Sequence, residues 1–180
     1  MYHKSINNFS NLAFGKVKTL KRNPGGFFVG SMMAGAYVGF GIILIFILGS
    51  EADPQSRKLI MGACFGIALT LVVFAGAELF TGHNMYMPLA LFKKKITGRD
   101  LVIVWVMVWI GNLVGSGFVG GLFVLGGASG IVDVNDSFVN LVAGNKMNAS
   151  VIELLARSML CNWLVCLALW MSDRTNNDAA

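Results

Sequence analysis

The 180-residue sequence is 56% hydrophobic and only 13% charged, with a formal net charge of +5. Soluble domains carry about 25% charged residues, so this composition excludes an ordinary soluble fold. The apolar residues form long runs and most charges lie between them, as expected for helices that cross a lipid bilayer. We therefore predict an all-α, polytopic helical membrane protein.

The first 22 residues combine several lysines with one apolar stripe. The stripe recurs at helical spacing and consists of Phe9, Ala13, Val17 and Leu20. This pattern predicts that residues 1–22 form an amphipathic helix that lies on the cytoplasmic face of the membrane. The first transmembrane span then opens at Asn23 and Pro24, because proline fits the first turn of a helix.

Four apolar runs approach or exceed the ~20 residues needed to cross the hydrocarbon core: residues 27–48, 59–77, 101–125 and 154–171. If the N-terminus is cytoplasmic, the basic residues on the inside are Lys4, Lys16, Lys18, Lys21, Arg22, Lys93, Lys94, Lys95, Arg99 and Arg174. Those on the outside are only Arg57, Lys58 and Lys146. Because this positive-inside bias explains the net charge by membrane orientation, we predict no nucleic-acid partner.

The apolar stretch 59–92 is too long for one straight span. Its 34 residues would form a helix about 51 Å long, against a hydrocarbon core of about 30 Å. The run GAELFTGHN at 76–84 interrupts the apolar pattern with two glycines and several hydrogen-bonding side chains. We therefore predict a broken second transmembrane helix, non-helical or kinked from Glu78 to Asn84. Irregular backbone at membrane depth needs protein or a water-filled cavity around it, which favours a permeation site.

Single polar residues near the spans admit more than one interpretation. Glu78 is either an interfacial acid at a helix end or an acid buried beside the break, and His83 is expected at headgroup level. Asn112 and Asn162 lie inside apolar runs, where a hydrogen bond to a neighbouring helix is the usual role of asparagine. Lys146 lies in an external polar segment and is by default an exposed loop lysine.

The sequence contains no pattern typical of an enzyme or of a cofactor site. It has no recognisable Ser/His/Asp arrangement, HExxH motif or cluster of Cys and His. Cys64, Cys161 and Cys166 lie in apolar runs without CxxC spacing, so neither disulfides nor a zinc site is indicated. Small residues at four-residue spacing, such as Gly111 and Gly115, instead predict closely packed helices.

Four segments together resemble one family of membrane proteins. They are MAGAYVG at 33–39, GAELFTGHN at 76–84, GNLVGS at 111–116 and CNWLVCLALWM at 161–171. From Asn23 to Met171 the sequence is similar to the formate/nitrite transporter family, and among its branches to the nitrite channels. The broken second span with its acidic Phe-Thr-Gly motif is the most specific part of this resemblance.

The resemblance implies a homopentamer whose protomers each contain a pore, built from six spans of which this chain accounts for four. It also implies two apolar constrictions. Phe65 and Leu69 would form the outer constriction, and Leu79 and Phe80 the inner one. Thr81 would offer its hydroxyl to the anion between the two.

The same resemblance makes Lys146 a cation that raises the local anion concentration, with Asn162 in its hydrogen-bond network. Residues 23–180 are then the transmembrane channel domain of a channel or transporter for a small monovalent anion in the bacterial inner membrane. Nitrite is the first candidate, and formate and hydrosulfide are alternatives. A non-conducting four-helix membrane scaffold is a further alternative, because small-residue pairs alone indicate only packing. No cofactor and no enzymatic activity are expected.

Overall fold

The computed structural model describes residues 2–127 and 137–175, which form helices joined by turns, with no strand among them. The helices are α1 His3–Arg22, α2 Pro24–Glu51, α3 Arg57–Ala75, α4 Phe80–Phe92, α5 Gly98–Leu125, α6 Ser137–Met147 and α7 Val151–Arg174. Part of the predicted external segment (128–136) and the end of the predicted channel domain (176–180) lie outside the described residues. Helices α2, α3, α5 and α7 are long and apolar enough to cross a membrane. The predicted all-α architecture with four apolar spans is confirmed.

Helix α1 is amphipathic, as predicted, but its apolar stripe packs on protein. The four stripe residues are all buried: Phe9, Ala13, Val17 and Leu20. Phe9 stacks against the rings of Tyr86 and Trp170 at 5.7 and 5.6 Å, and the other three stripe residues join Met87 and Ala90 of α4 in one core cluster. The expectation that the stripe rests on the membrane surface is therefore corrected, because α4 offers it an apolar protein surface instead. The cytoplasmic location of α1 stays a prediction.

Side-chain caps fix where the helices begin. Asn23 accepts a hydrogen bond from the backbone N–H of Gly26 at 2.9 Å, and Pro24 occupies the first turn of α2, as predicted. Two further spans open with reciprocal capping boxes: Thr97 with Asp100 before α5, and Ser150 with Glu153 before α7. These caps satisfy N–H groups that helix geometry leaves without an intrahelical partner.

Helices α2 and α5 approach each other through glycines. A Cβ atom at Gly35 would overlap the backbone of Asn112, and one at Gly115 would overlap the backbone of Met32. The predicted close packing is therefore confirmed for this helix pair. Other glycines of the predicted packing pairs have nothing within 4 Å of a Cβ position among the described residues: Gly62, Gly66, Gly117 and Gly121.

Gly115→Ala should lower the free energy of unfolding by about 1–3 kcal/mol, because the added methyl group forces α2 and α5 apart. Gly117→Ala in the same helix has open space around it and is the matched control. It should be neutral or slightly stabilising, since alanine favours a helix over glycine by about 1 kcal/mol. Thermal unfolding of both variants in detergent measures the difference. Equal midpoints would contradict the close contact.

The second span is broken, as predicted. Helix α3 ends at Ala75, and α4 begins at Phe80. Gly76 closes α3 with a left-handed φ of 73°, a conformation that favours glycine because it has no Cβ. The break is shorter than the predicted stretch Glu78–Asn84, because residues 81–84 already belong to α4.

Candidate functional site

Asn112 on α5 holds the break in place. Its Oδ1 accepts a hydrogen bond from the backbone N–H of Phe80 at 2.9 Å, and its Nδ2 donates to the carbonyl oxygens of Glu78 and Ser31 at 2.8 Å each. The backbone N–H of Glu78 donates to the carbonyl of Gly30 at 3.2 Å. These bonds replace the helix ladder that is missing at the break. They also explain why α4 starts at Phe80, and they confirm the predicted bonding of Asn112 to other helices.

Asn112→Leu should lower the free energy of unfolding by about 2 kcal/mol, because leucine has a similar shape but leaves buried backbone groups without partners. Asn148→Leu is the control. Asn148 is exposed and its side chain makes one hydrogen bond, to the carbonyl of Gly144, so its loss should cost less than about 1 kcal/mol. Denaturation in detergent gives both values. A loss at Asn112 no larger than at Asn148 would exclude its bracing role.

A cavity of about 330 Å³, here called the α1-side cavity, lies between α1, α3 and the break. Among its lining residues, Lys16 Nζ contacts Glu78 Oε1 at 2.5 Å, and Glu78 Oε2 contacts His83 Nε2 at 3.0 Å. The Glu78 side chain is 12% exposed, which confirms that it is an acid buried beside the break. The ring of His83 is fully buried between Phe27 and Tyr86, and its expected depth at headgroup level stays a prediction.

A larger open cavity of about 930 Å³, the α7-side cavity, lies between α4 and α7. Four of the predicted pathway residues line it: Phe80, Thr81, Lys146 and Asn162. The Thr81 hydroxyl oxygen is buried and has no hydrogen-bond partner among the described residues. Because buried hydroxyls normally have a partner, this group has unused capacity to bind a small polar molecule.

Leu79 and Phe80 contribute to different cavities. The backbone of Leu79 is extended, with φ −93° and ψ 129°, so that successive side chains diverge. Leu79 lines the α1-side cavity together with Leu69, whereas Phe80 lines the α7-side cavity, and both border a smaller cleft at Asn112. The outer constriction of Phe65 and Leu69 and the inner constriction of Leu79 and Phe80 stay predictions. Phe65 is exposed and lines neither cavity.

Lys146 and Asn162 share the α7-side cavity, but no hydrogen bond joins them in the described part of the chain. Asn162 accepts a hydrogen bond from Asn84 Nδ2 at 2.9 Å and donates one to Cys166 Sγ at 3.2 Å. The Cys166 thiol in turn donates to the carbonyl of Thr81 at 3.6 Å. The Asn162 amide thus faces α4 and ties α7 to it, and its place in the hydrogen-bond network of Lys146 stays a prediction. Lys146 is exposed at the end of α6.

Sequence patterns did not assign Lys16, His83 or Cys166 to the site. Lys16 directly precedes a residue of the buried stripe, and this position was a usable sign that it could turn inward. His83 follows Glu78 by five residues in an otherwise uncharged stretch, which also favours a pair. Cys166 lies one helical turn beyond Asn162, a spacing at which side chains meet, but nothing in its type indicates a hydrogen bond.

Comparison with known proteins identifies the family of the chain. The family model for formate/nitrite transporters matches residues 7–180. Nitrite transporters NirC from Salmonella typhimurium and Escherichia coli are each 48% identical over 179 residues, covering 99% of this chain and 66% of the relative. The chain thus spans just under two thirds of their length. The formate channel BtFdhC of Bacillus thuringiensis is 36% identical over 149 residues, covering 81% of this chain and 57% of that protein.

The fold has a close counterpart among solved structures. One described as an FNT family ion channel superposes with a TM-score of 0.93 at 48% sequence identity, covering 98% of this chain and 70% of that chain. These relatives are transporters and channels, not enzymes. Sequence and fold agree over nearly the whole chain, which therefore belongs to the formate/nitrite transporter family and is a multi-pass helical membrane protein.

Proposed function

We propose that the protein is a channel or transporter for a small monovalent anion, and that the anion is nitrite. The observation that carries this proposal is the 48% identity, over 99% of the chain, to proteins named nitrite transporters. Relatives named for formate are 36% identical over 79% and 81% of the chain. The activity is proposed for the intact protein as a homopentamer with a pore in each protomer, the assembly that the family resemblance implies.

The α7-side cavity supports this function by its charge and hydrogen-bonding groups. An anion that enters an apolar constriction loses water, which costs several kcal/mol unless nearby groups compensate. Lys146 and Arg157 bring positive charge to the cavity, and Thr81 brings an unused hydroxyl. Asn162 holds α7 against α4 and so keeps the Thr81 segment in position. We assign these groups to the anion path.

The apolar side chains around the break are proposed as the barriers of the pore. Leu69 and Leu79 line the α1-side cavity, and Phe80 lines the α7-side cavity. Because both cavities border the break, an anion that moves from one to the other must pass these residues. Phe65 would contribute to the barrier only in the intact assembly, since it is exposed in this chain.

We further propose that residues 1–22 lie in the cytoplasm and that residues 23–180 form the channel domain in the bacterial inner membrane. Lys93 and Lys95, in the loop after α4, donate hydrogen bonds to Asn7 and Asn11 of α1. The basic loop and the lysine-rich α1 therefore share one side of the membrane. The positive-inside rule assigns that side to the cytoplasm.

Anion uptake into liposomes that contain the intact protein tests the proposal. We expect nitrite uptake well above that of protein-free liposomes and faster than uptake of formate or hydrosulfide under the same gradient. If formate or hydrosulfide is taken up faster than nitrite, that anion is the preferred substrate and the assignment of nitrite is wrong. Uptake of none of the three would favour the non-conducting scaffold.

A further inference from the structure

We propose that a groove between α1 and α5 binds an anionic phospholipid. The groove has a volume of about 240 Å³ and shares no lining residue with either cavity at the break. Its lining is apolar except at one end: Val17 and Leu20 of α1 and Ile103 and Met107 of α5 form the apolar part, with Lys21 and Asp100 at the charged end. The site concerns lipid and is independent of which anion the protein conducts.

The groove is charged at one end and apolar along the rest of its length, as a phospholipid is. Asp100, Ile103 and Met107 follow one another along α5, and from Asp100 to Met107 the helix rises by about 10 Å. Lys21 Nζ contacts Asp100 Oδ1 at 2.7 Å at the charged end. A headgroup at this end would place an acyl chain along the apolar side chains that lead into the span. Basic pockets between transmembrane helices on the cytoplasmic side are typical sites for anionic headgroups.

Positive charge exceeds negative charge at the headgroup end. The Lys21 side chain is 66% exposed in spite of its ion pair with Asp100, so its ammonium can contact a second anion. Arg99 is exposed on the same face of α5 as Ile103, one turn away. Two basic side chains, Lys21 and Arg99, against one carboxylate favour a negatively charged headgroup over a zwitterionic one.

The apolar part of the groove distinguishes a lipid from a soluble phosphate. Ile103 is 43% exposed, and its neighbours Val102 and Val106 on the same span are 55% and 52% exposed. Because α5 is long and apolar enough to cross the membrane, we expect these side chains to adjoin hydrocarbon. A soluble phosphate ester would contact only the charged end, whereas a phospholipid also covers the apolar side chains.

Arg99→Gln should weaken binding of phosphatidylglycerol about fivefold, which corresponds to about 1 kcal/mol for one basic side chain near an anionic headgroup. Arg99 lies in the first turn of α5, where the helix dipole does not favour a cation, so its loss should leave folding intact. Arg99→Lys retains the charge and should bind like wild type. Lys58→Gln is the matched control, since Lys58 is an exposed basic residue in the first turn of α3.

Native mass spectrometry of the intact protein, with thermal unfolding as a second readout, measures retention of each compound. We expect retention of phosphatidylglycerol and a raised unfolding midpoint, less effect from phosphatidylcholine, and none from glycerol phosphate. Equal effects of the two lipids would overturn the proposal, as would an equal shift from glycerol phosphate alone. Equal losses in Arg99→Gln and Lys58→Gln would also overturn it, since the effect would then reflect net charge.

Discussion

Lys146→Ala should lower nitrite uptake about tenfold at low anion concentration and low salt. Lys146 lines the same cavity as Thr81 and Asn162, so on the proposed anion path its charge would act before the anion meets the apolar barrier. Clefts lined by charge of one sign raise association rates by about 10–10³-fold. We expect the lower end of that range, because Lys146 is exposed and water screens part of its field.

Two comparisons separate the charge of Lys146 from its shape. Lys146→Arg keeps the positive charge and should retain most of the uptake. The difference between wild type and the alanine variant should also shrink as salt is raised, because screening acts on the electrostatic contribution alone. If the alanine variant matches wild type at low salt and low nitrite, Lys146 has no part in attracting the anion.

The spans and the break could be predicted because lipid leaves the chain few alternatives. In lipid, an uncharged run of about 20 residues has to pair its own backbone N–H and C=O groups, and a helix does so. The stretch 59–92 is longer than one such helix needs to cross the membrane, so a break could be expected. The limits of the break could not be predicted in the same way. They depend on Asn112, whose amide lies 32 positions after Phe80 and caps its N–H.

The environment of α1 shows why an amphipathic stripe is ambiguous. Val17 and Leu20 would occupy the same positions on a helix that lies on lipid and on one that packs on protein. The outcome depends on α4, where Met87 and Ala90 present a matching apolar surface. Periodicity identifies the face to be buried, but it does not identify what covers that face.

The candidate site was accessible from the sequence only in part. Thr81 and Lys146 were found through the family resemblance, since a single threonine near a helix break and a lysine in a polar segment carry no signal by themselves. Glu78 was singled out by its position in the break. Its partner Lys16 lies 62 positions away in the chain, and local spacing contains no information about such a pair.

Glu78→Gln should lower the free energy of unfolding by about 3 kcal/mol. The change leaves Lys16 without its ion-pair partner in a cavity where that side chain is only 22% exposed, and loss of one member of a buried pair typically costs about 3–5 kcal/mol. The partial exposure of Lys16 places the expected value at the lower limit. The same change weakens the contact to the buried His83, so α1 and the break should loosen together.

A double-mutant cycle measures the interaction energy between Lys16 and Glu78. Lys16→Met together with Glu78→Gln should cost less than the sum of the two single changes by about 1–3 kcal/mol, the coupling typical of residues in direct contact, because neither charge is then left unpaired. Lys4→Met is the matched control on α1. Lys4 is exposed, and its effect should add to that of Glu78→Gln. Denaturation in detergent gives all the values, and proteolysis of α1 in each variant reports its release from α4. Additive losses for the Lys16 and Glu78 variants would show that the two side chains do not stabilise each other, and α1 would then be held by its apolar stripe alone.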